Sequence, residues 1–249
     1  MTFTDEAVAV TGAGSGMGRA TAELFAERGA NVVVVDIDEA AAAETVERIE
    51  ADGGDAISAV ADVSDPDDVA AFVEKTVDTY GSIDVLHNNA GIPQQSTPVE
   101  NVEEATWDQV QDVNLKSAFL GAKYAVPHMK EQGSGVILNT ASTAGIRPRT
   151  GLSAYAASKG GMITLTKQLA FELAEDGIRV NAICPVATDT SMLPEFAAGD
   201  LSVEGMADTI PLGRLAEPGD IASAAAFLAS DEASMVTGTA LEVDGGRDL

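Results

Sequence analysis

Short apolar runs rich in β-branched residues alternate with longer amphipathic stretches, and this alternation limits the possible folds more than any other feature of the sequence. Apolar runs bounded by turn residues are typical of buried strands, and apolar residues at helical spacing are typical of helices that pack on one face. The predicted strands span residues 8–11, 32–36, 57–60, 85–87, 136–140, 180–184 and 239–243. The predicted helices span residues 18–28, 39–51, 67–80, 107–129, 154–174 and 220–229. Repeated strand–helix–strand units require a parallel sheet, so the sequence predicts an α/β fold with a doubly wound parallel sheet and helices on both faces.

One segment departs from this alternation. We expect residues 1–249 to form a single domain, because a hydrophobic content of 45% can build a large core and no linker or repeat divides the chain. Residues 186–215 contain two prolines and scattered glycines and aspartates between apolar residues. An insertion of this kind after a strand is often a lid over a binding site. The alternative is a surface excursion whose apolar residues only pack down.

The charge balance is strongly acidic. Forty acidic against fourteen basic residues give a formal net charge of −26, which repels phosphate backbones and argues against nucleic-acid binding. The acids are spread over predicted helices and turns, so they repel one another across the whole surface unless counter-ions screen them. We interpret this composition as adaptation to a salty cytoplasm, and the alternative is an ordinary acidic soluble protein.

The remaining composition bears on location and metals. The longest apolar runs are far too short to cross a bilayer, and the first residues carry acids rather than a basic, apolar signal. The single cysteine, Cys184, excludes an internal disulfide framework and suits a reducing compartment. No cluster of cysteine and histidine offers a metal site. These features predict a cytoplasmic protein without a membrane partner or a bound metal.

A glycine-rich turn follows the first predicted strand. Residues 11–18 have the spacing T-G-x-x-x-G-x-G, with Gly12, Gly16 and Gly18 at the glycine positions and a predicted helix directly after them. Glycines there let the backbone approach a pyrophosphate, whose charge is favoured by the N-terminus of the helix. A glycine turn alone also serves tight turns, but its place after the first strand favours a nucleotide site.

Asp36 ends the second predicted strand, eighteen residues after Gly18. A carboxylate there can accept hydrogen bonds from both hydroxyls of an adenosine ribose and would repel a 2′-phosphate. No arginine or lysine stands at Ser15 or Ile37 to hold that phosphate. Asp36 therefore favours NAD over NADP, although a turn or cap aspartate is the alternative.

Tyr155 and Lys159 lie four residues apart in a helical pattern, so their side chains share one face. A tyrosine with a pKa near 10 is a poor base, and a nearby ammonium favours the phenolate. Ser142 follows a predicted strand, at the edge where parallel sheets place ligands, and its hydroxyl could hold a substrate oxygen. A turn or cap role is the alternative for Ser142.

Two asparagine positions complete the candidate set. Asn114 stands between Val113 and Leu115 in a long helical pattern, where a polar side chain is either costly or functional. Residues 88–91 (Asn-Asn-Ala-Gly) follow the fourth predicted strand, where the amides could support the glycine loop.

The motifs and their order along the chain resemble those of the compact, NAD-dependent type of the short-chain dehydrogenase/reductase family, over essentially the whole chain. They are residues 11–18, Asp62-Val63, residues 88–91, Asn114, Ser142, Tyr155, Lys159 and residues 243–246. The resemblance implies a Rossmann-type fold and NAD(H)-dependent interconversion of a secondary alcohol and its ketone. It implies Tyr155 as the general acid/base, Ser142 as the group that orients the substrate oxygen, and Lys159 as the tyrosine activator and nicotinamide-ribose ligand. Asn114 would hold a water in the proton relay.

The resemblance also implies the cofactor contacts and the assembly. Asp62 would meet the adenine amino group and Val63 the adenine ring, with Asn89 near a ribose and Thr190 near the carboxamide. The full predicted cofactor-binding set is Gly12, Ser15, Gly16, Met17, Gly18, Asp36, Ile37, Asp62, Val63, Asn89, Ala90, Gly91, Tyr155, Lys159, Pro185, Val186, Thr188 and Thr190. A homo-oligomer is expected, with a tetramer favoured and a dimer as the alternative.

One departure from the family pattern and two other functions remain to be considered. The family usually has glycine after Pro185, whereas this chain has Val186, which resists a positive φ and adds bulk beside the nicotinamide. An NAD-binding regulator without activity would be expected to have lost part of the Asn114, Ser142, Tyr155 and Lys159 set, which is complete here. A lyase or epimerase on the same scaffold would cause no net change in NADH. The substrate is a small-molecule alcohol or ketone that the sequence does not name.

The charge balance predicts a dependence on salt. Screening should relieve repulsion between exposed carboxylates, and salts excluded from the surface strengthen apolar burial. The melting temperature should therefore be higher at about 2 M KCl than at about 0.1 M, where the Debye length is still near 10 Å. Thermal unfolding and sedimentation at both concentrations check this. A melting temperature that stays constant or falls, with an unchanged assembly state, would contradict salt adaptation.

Overall fold

The computed structural model describes residues 1–196 and 203–249, and over those ranges seven strands form one parallel sheet. The strands are β1 (Ala7–Thr11), β2 (Asn31–Asp36), β3 (Asp55–Val60), β4 (Val85–Asn88), β5 (Gly135–Thr140), β6 (Ile178–Pro185) and β7 (Ala240–Val243). Their order is β3-β2-β1-β4-β5-β6-β7, so the direction of winding reverses between β1 and β4. This confirms the doubly wound parallel sheet. Ligands of such sheets bind outside the carboxyl ends of the strands, at the reversal point.

Helices connect the strands on both faces of the sheet. The α-helices in the described ranges are α1 (Gly16–Glu27), α2 (Glu39–Ala51), α3 (Pro66–Tyr80), α4 (Glu104–Gln111), α5 (Ser117–Gln132), α6 (Ser153–Leu173), α7 (Val203–Ala207) and α8 (Pro218–Ala229). Local chemistry fixes several ends. Asp38 and Asp65 accept hydrogen bonds from the first backbone amides of α2 and α3, and Pro66 occupies the first turn of α3.

The predicted helix over residues 107–129 lies within a helical segment that runs from Glu104 to Gln132, but the pattern did not predict a π turn inside it. The structure has α4, then a π-helical turn from Asp112 to Lys116, and then α5. The π turn contains Asn114, whose side chain is fully buried. The interruption places this polar side chain toward backbone partners inside the protein, a requirement that helical periodicity alone does not reveal.

The two faces of the sheet carry separate apolar cores. On one face, Phe25 of α1 packs with Phe3, their ring centroids 4.8 Å apart, together with residues of α8. On the other face, Phe72 of α3 and Met129 of α5 pack against the strands. Burial on both faces explains why the strands read as nearly continuous apolar runs.

None of the helices in the described ranges is both long enough and apolar enough to cross a membrane.

Glu6 generates a prediction about stability and pH. Burial, with the nearby carboxylates of Asp84 and Asp231, raises the pKa of Glu6 to about 7. The folded state therefore retains a proton that the unfolded state loses near pH 4.5, so this site favours folding at low pH and loses that contribution as pH rises to 7. E6Q should raise the free energy of unfolding at pH 8 by about 1–2 kcal/mol, after allowance for solvent screening, and change it little at pH 4.

Denaturant unfolding of both proteins at both pH values measures this difference. E47Q removes the same charge from an exposed site in α2 and serves as the matched control. A gain from E6Q that is equal at both pH values, or equal to that from E47Q, would contradict the assignment.

Candidate active site

The turn between β1 and α1 requires glycine for two physical reasons. Gly12 and Gly16 have φ values of +63° and +52°, in the left-handed region that other residues rarely adopt. A Cβ on Gly12 would lie 2.9 Å from Cα of Ala90, and one on Gly18 would collide with the carbonyl oxygen of Gly12. Close backbone packing therefore explains the spacing of the three glycines.

The first turn of α1 is open toward the carboxyl edge of the sheet. Ser15 occupies the N-cap position but makes no side-chain hydrogen bond to the helix. The first backbone amides of a helix otherwise lack partners and carry partial positive charge. This end of α1 therefore fits an anionic group such as a pyrophosphate.

Asp36 lies where β2 ends and helps to shape this turn. Its Oδ2 accepts a hydrogen bond from the backbone amide of Gly14 at 2.8 Å, and its Oδ1 accepts one from Asp38 at 3.0 Å. The turn role considered from the sequence is thus present. A carboxylate has further lone pairs, so these bonds leave acceptor capacity for a ribose hydroxyl.

A cavity of about 730 Å³ lies along this edge of the sheet and is called here the glycine-loop cavity. It contains most of the predicted cofactor residues. Those that line it are Gly12, Ser15, Gly16, Met17, Gly18, Asp36, Ile37, Asp62, Val63, Asn89, Ala90, Gly91 and Thr190.

The segment after β4 supports the glycine loop, as expected. The backbone amides of Asn89 and Ala90 both donate to Thr11 Oγ1 at 3.0 Å. The side-chain amide of Asn89 donates to the carbonyl oxygen of Thr11, also at 3.0 Å. Side chain and backbone therefore fasten the ends of β1 and β4 together at the reversal point.

Lys159 is joined to the same network from α6. Its Nζ, in a side chain that is 3% exposed, donates to the carbonyl oxygen of Thr140 at 2.6 Å. The hydroxyl of Thr140 donates to Asn89 Oδ1 at 3.2 Å and lies 2.8 Å from Nε2 of His87. Burial lowers the pKa of His87 to about 3, so the ring is neutral and, with Nε2 protonated, donates to Thr140. His87 is therefore a packed, neutral imidazole.

Tyr155 lies above Lys159 on α6. The Nζ of Lys159 is 5.7 Å from the centre of the Tyr155 ring. Burial raises the pKa of Tyr155 to about 12, and the side chain of Ser142 acts in the opposite direction. Burial also lowers the pKa of Lys159 to about 8. In the protein alone, desolvation thus outweighs the expected activation of the phenol, and a further positive charge is needed to favour the phenolate.

Ser142 lies just beyond β5, where it caps a short 3₁₀ turn (Thr143–Gly145). Its Oγ accepts a hydrogen bond from the backbone amide of Ala144 at 3.1 Å. This is the cap role considered from the sequence. The hydroxyl hydrogen remains able to donate toward a ligand oxygen near Tyr155.

Asn114 joins two parts of the site. Its Oδ1 accepts from the amide of Ile92 at 2.7 Å, and its Nδ2 donates to the carbonyl of Ile92 at 3.0 Å and to Ser158 at 3.3 Å. A Cβ on Gly91 would lie 3.1 Å from Asn114 Oδ1 and 3.5 Å from Lys159 Nζ. The side chain therefore holds the segment after β4 against α6, and Asn114 lines neither cavity.

A second cavity, of about 440 Å³, adjoins the first one and is called here the tyrosine cavity. Predicted site residues on its wall include Ser142, Tyr155, Lys159, Pro185, Val186 and Thr188. The two cavities share the residues Met17, Asn89, Gly91, Ile92 and Met192. A ligand can therefore extend continuously from the glycine loop to Tyr155.

Part of the segment predicted as a lid lines the tyrosine cavity. Met192, Leu193, Phe196 and Met206 line it, and the rings of Phe196 and Tyr155 meet edge to face with centroids 5.1 Å apart. Residues 197–202 of the predicted lid lie outside the described residues. Sequence reasoning did not single out Phe196 as a neighbour of Tyr155.

Val186 causes no backbone strain. In the described ranges, Asp5 is the only residue other than glycine with a positive φ, so the φ of Val186 is not positive. Its amide donates to the carbonyl of Val243 at 3.2 Å, and its side chain packs with Ile210 and Ala216. The side chain also lines the tyrosine cavity, so valine fills space there that a glycine would leave open.

Comparison with known proteins identifies relatives over the full chain. A family described as enoyl-(acyl carrier protein) reductase matches residues 12–248. The 4-formylbenzenesulfonate dehydrogenase of Comamonas testosteroni is 41% identical over 252 residues, covering 100% of both chains. The cis-4-hydroxycyclohexanecarboxylate dehydrogenase of Sinomonas cyclohexanicum is 42% identical over 245 residues, covering 98% of this chain and 97% of that one. The crystal structure of 3-ketoacyl-(acyl-carrier-protein) reductase from Brucella melitensis, complexed with NADH, superimposes with a TM-score of 0.94 at 43% identity and covers 100% of both chains.

Proposed function

The chain belongs to the short-chain dehydrogenase/reductase family, and on that premise we propose that it is an NAD(H)-dependent oxidoreductase that interconverts a secondary alcohol and the corresponding ketone. One observation carries the proposal. Tyr155, Ser142 and Lys159 line one cavity, which continues into the glycine-loop cavity. A proton-transfer group thus lies beside a space that fits a dinucleotide.

The residues of the glycine-loop cavity fit NAD(H). The open N-terminus of α1 would hold the pyrophosphate, and Asp36 would accept hydrogen bonds from the adenosine ribose. Asp62 and Val63 line the same cavity at the expected adenine end. When bound, the nicotinamide ring accepts the hydride in alcohol oxidation and supplies it in ketone reduction. A structural relative complexed with NADH supports this choice of cofactor.

Tyr155 would transfer the proton that accompanies the hydride. In oxidation, the substrate hydroxyl gives its proton to the Tyr155 phenolate as the carbon–hydrogen bond of the carbinol breaks, leaving a ketone. In reduction, the phenol returns that proton to the carbonyl oxygen. Because burial raises the pKa of Tyr155 to about 12, the phenol is the stable form at neutral pH and suits reduction directly. Oxidation requires positive charge near the ring, from Lys159 and from the oxidised cofactor.

Ser142 and Lys159 would position the reacting groups. The Ser142 hydroxyl can donate to the same substrate oxygen that Tyr155 protonates. Lys159 is held in place by the carbonyl of Thr140, so its ammonium has a fixed position beneath the ring. Asn114 would keep the segment after β4 in register with α6 and could bring a water to the relay.

A homo-oligomer, with a tetramer favoured over a dimer, forms part of the proposal. Large apolar side chains are exposed on the single chain at Phe119 of α5 and Phe171 of α6. Met235, which precedes β7 in the chain, and Leu249, which follows it, are also exposed. Burial of these side chains between copies would remove them from water.

Y155F provides the first test of the reaction. It removes only the proton-transfer group, so kcat should fall by 10²–10⁴-fold, the range typical of general acid–base catalysis, while NADH binding stays near the wild-type value. Steady-state kinetics on a panel of alcohols and ketones, with NADH binding followed by fluorescence, measures both. Y124F makes the same change on α5, outside both cavities, and should retain wild-type activity. Retention of more than about a tenth of kcat by Y155F would refute the role.

Asp36 provides a test of the cofactor. The wild type should have a higher kcat/KM with NAD than with NADP, and D36N should reverse or narrow that preference because it removes the charge that repels a 2′-phosphate. Asparagine keeps an acceptor for the amide of Gly14, which limits collapse of the loop. D38N, at the neighbouring helix cap, is the matched control and should leave the ratio unchanged. A wild-type preference for NADP would overturn the assignment.

A further inference from the structure

The charge on the wall of the tyrosine cavity is opposite to that of the chain as a whole. The chain has 40 acidic and 14 basic residues. Yet within the described ranges the charged residues that line this cavity are all basic: Arg149, Lys159 and Arg247. Acids outnumber bases almost threefold overall, so the distribution indicates a site from which carboxylates are excluded.

Two of these cations already have protein partners. Lys159 donates to the carbonyl oxygen of Thr140. Nη2 of Arg149 lies 2.7 Å from each carboxylate oxygen of Asp248, a side chain that is almost fully buried. This ion pair joins the segment before α6 to the C-terminal turn and gives Arg149 a structural role.

Arg247 is different. Among the side chains that the structure describes, which exclude those of residues 197–204, its guanidinium has no ion-pair or side-chain hydrogen-bond partner, although it is partly buried. Burial and the neighbouring Arg149 lower the pKa of Arg247, while the carboxylates of Asp248 and Asp244 act in the opposite direction, and the side chain remains a cation at neutral pH. A partly desolvated charge without a partner is unfavourable, and an anionic ligand would relieve that cost.

The nearest carboxylates are occupied elsewhere. The two oxygens of Asp244 accept hydrogen bonds from the backbone amides of Gly246 and Asp248, both at 2.9 Å. Asp248 is held by Arg149. These bonds fix the turn that carries Arg247, so its backbone is held in place while its five N–H donors remain available.

The turn is also packed against residues 210–212. The amide of Leu212 donates to the carbonyl of Gly245 at 3.1 Å, and Gly245 has a φ of +62°. A Cβ at Gly245 would lie 2.5 Å from Ile210, so glycine is needed for this close approach. The backbone of Arg247 is therefore held in a packed turn, and its side chain lines the cavity.

We propose that Arg247 binds a carboxylate on the substrate at a point away from the reacting carbon, so that the enzyme selects secondary alcohols and ketones that carry a negative charge. The proposal rests on the function proposed above, because Ser142 and Tyr155 are assigned to the reacting oxygen. Apolar side chains make up much of the remaining wall, including Met192, Leu193 and Phe196, beside small polar side chains such as Ser96 and Thr150. The substrate would thus have a polar group at each end and an apolar body between them.

Paired compounds that differ only in the carboxylate test this selectivity. With NAD, kcat/KM is measured for cis-4-hydroxycyclohexanecarboxylate and for cyclohexanol, in the wild type and in R247Q. The wild type should favour the carboxylate, and R247Q should lower the ratio of the two kcat/KM values at least about tenfold, because hydrogen bonds to charged groups are among the strongest. The loss should lie mainly in KM, and R247K should recover part of it.

The matched control is R28Q. Arg28 directly follows α1, at the edge of the sheet opposite to the cavities. It has no ion pair in the described ranges and lines neither cavity. R28Q removes the same charge by the same substitution, so it should leave the ratio within about twofold of the wild-type value if the effect of Arg247 is local.

A binding measurement separates this proposal from the proposed reaction. Calorimetric titration of the NADH-saturated enzyme with cyclohexanecarboxylate, which has no hydroxyl to oxidise, should give a dissociation constant at least about tenfold weaker in R247Q than in the wild type. If neither alcohol is turned over but this difference is found, the reaction assignment fails and the anion site stands. If the kinetic ratio and the dissociation constant are both the same in wild type and R247Q, the anion site is refuted whatever the activity.

Discussion

The buried ammonium of Lys159 is the constraint on which the rest of the site depends. A cation that is 97% removed from solvent must have partners, because desolvation of an unpaired charge costs several kcal/mol. Its partner is the carbonyl of Thr140 at the end of β5, and the Thr140 side chain connects to His87 and Asn89 at the end of β4. One helix and two strands are therefore joined at a single polar point, beside the reversal in the sheet.

That polar network also holds the two cavities in a fixed relation. Asn89 binds the carbonyl at the end of β1, where the glycine loop begins, while Lys159 lies beneath the ring of Tyr155. A shift of the glycine loop would thus change the position of Lys159 beside the Tyr155 ring, because Asn89 and Thr140 connect the two. The neutral state of His87 is compatible with this network, because a second buried cation beside Lys159 would increase the desolvation and repulsion energy of both groups.

The sequence predicted the sheet well because several strands carry the same pattern. β2 contains four consecutive valines and β1 a similar apolar run, and such runs are typical of strands that are buried on both faces of a parallel sheet. It failed where one residue is governed by distant partners. Asn114 interrupts a helical pattern to reach Ile92, twenty-two positions earlier, and no local preference encodes that bond. The raised pKa of Tyr155 was equally hidden, because desolvation depends on the packed structure. Arg247 had one available signal, a base after a double glycine in an acidic chain.

The segregation of charge gives salt two separate effects on this molecule. The 40 acids form a field that repels anions from a distance, and at about 0.1 M salt that field extends about 10 Å. The basic wall of the tyrosine cavity acts over a few ångströms, in surroundings partly closed to water, where screening is weaker. Added salt therefore removes more of the repulsion that hinders the approach of an anion than of the attraction that retains it. A chain with this distribution can combine a highly acidic exterior with a site for a negatively charged ligand, because the two operate at different distances.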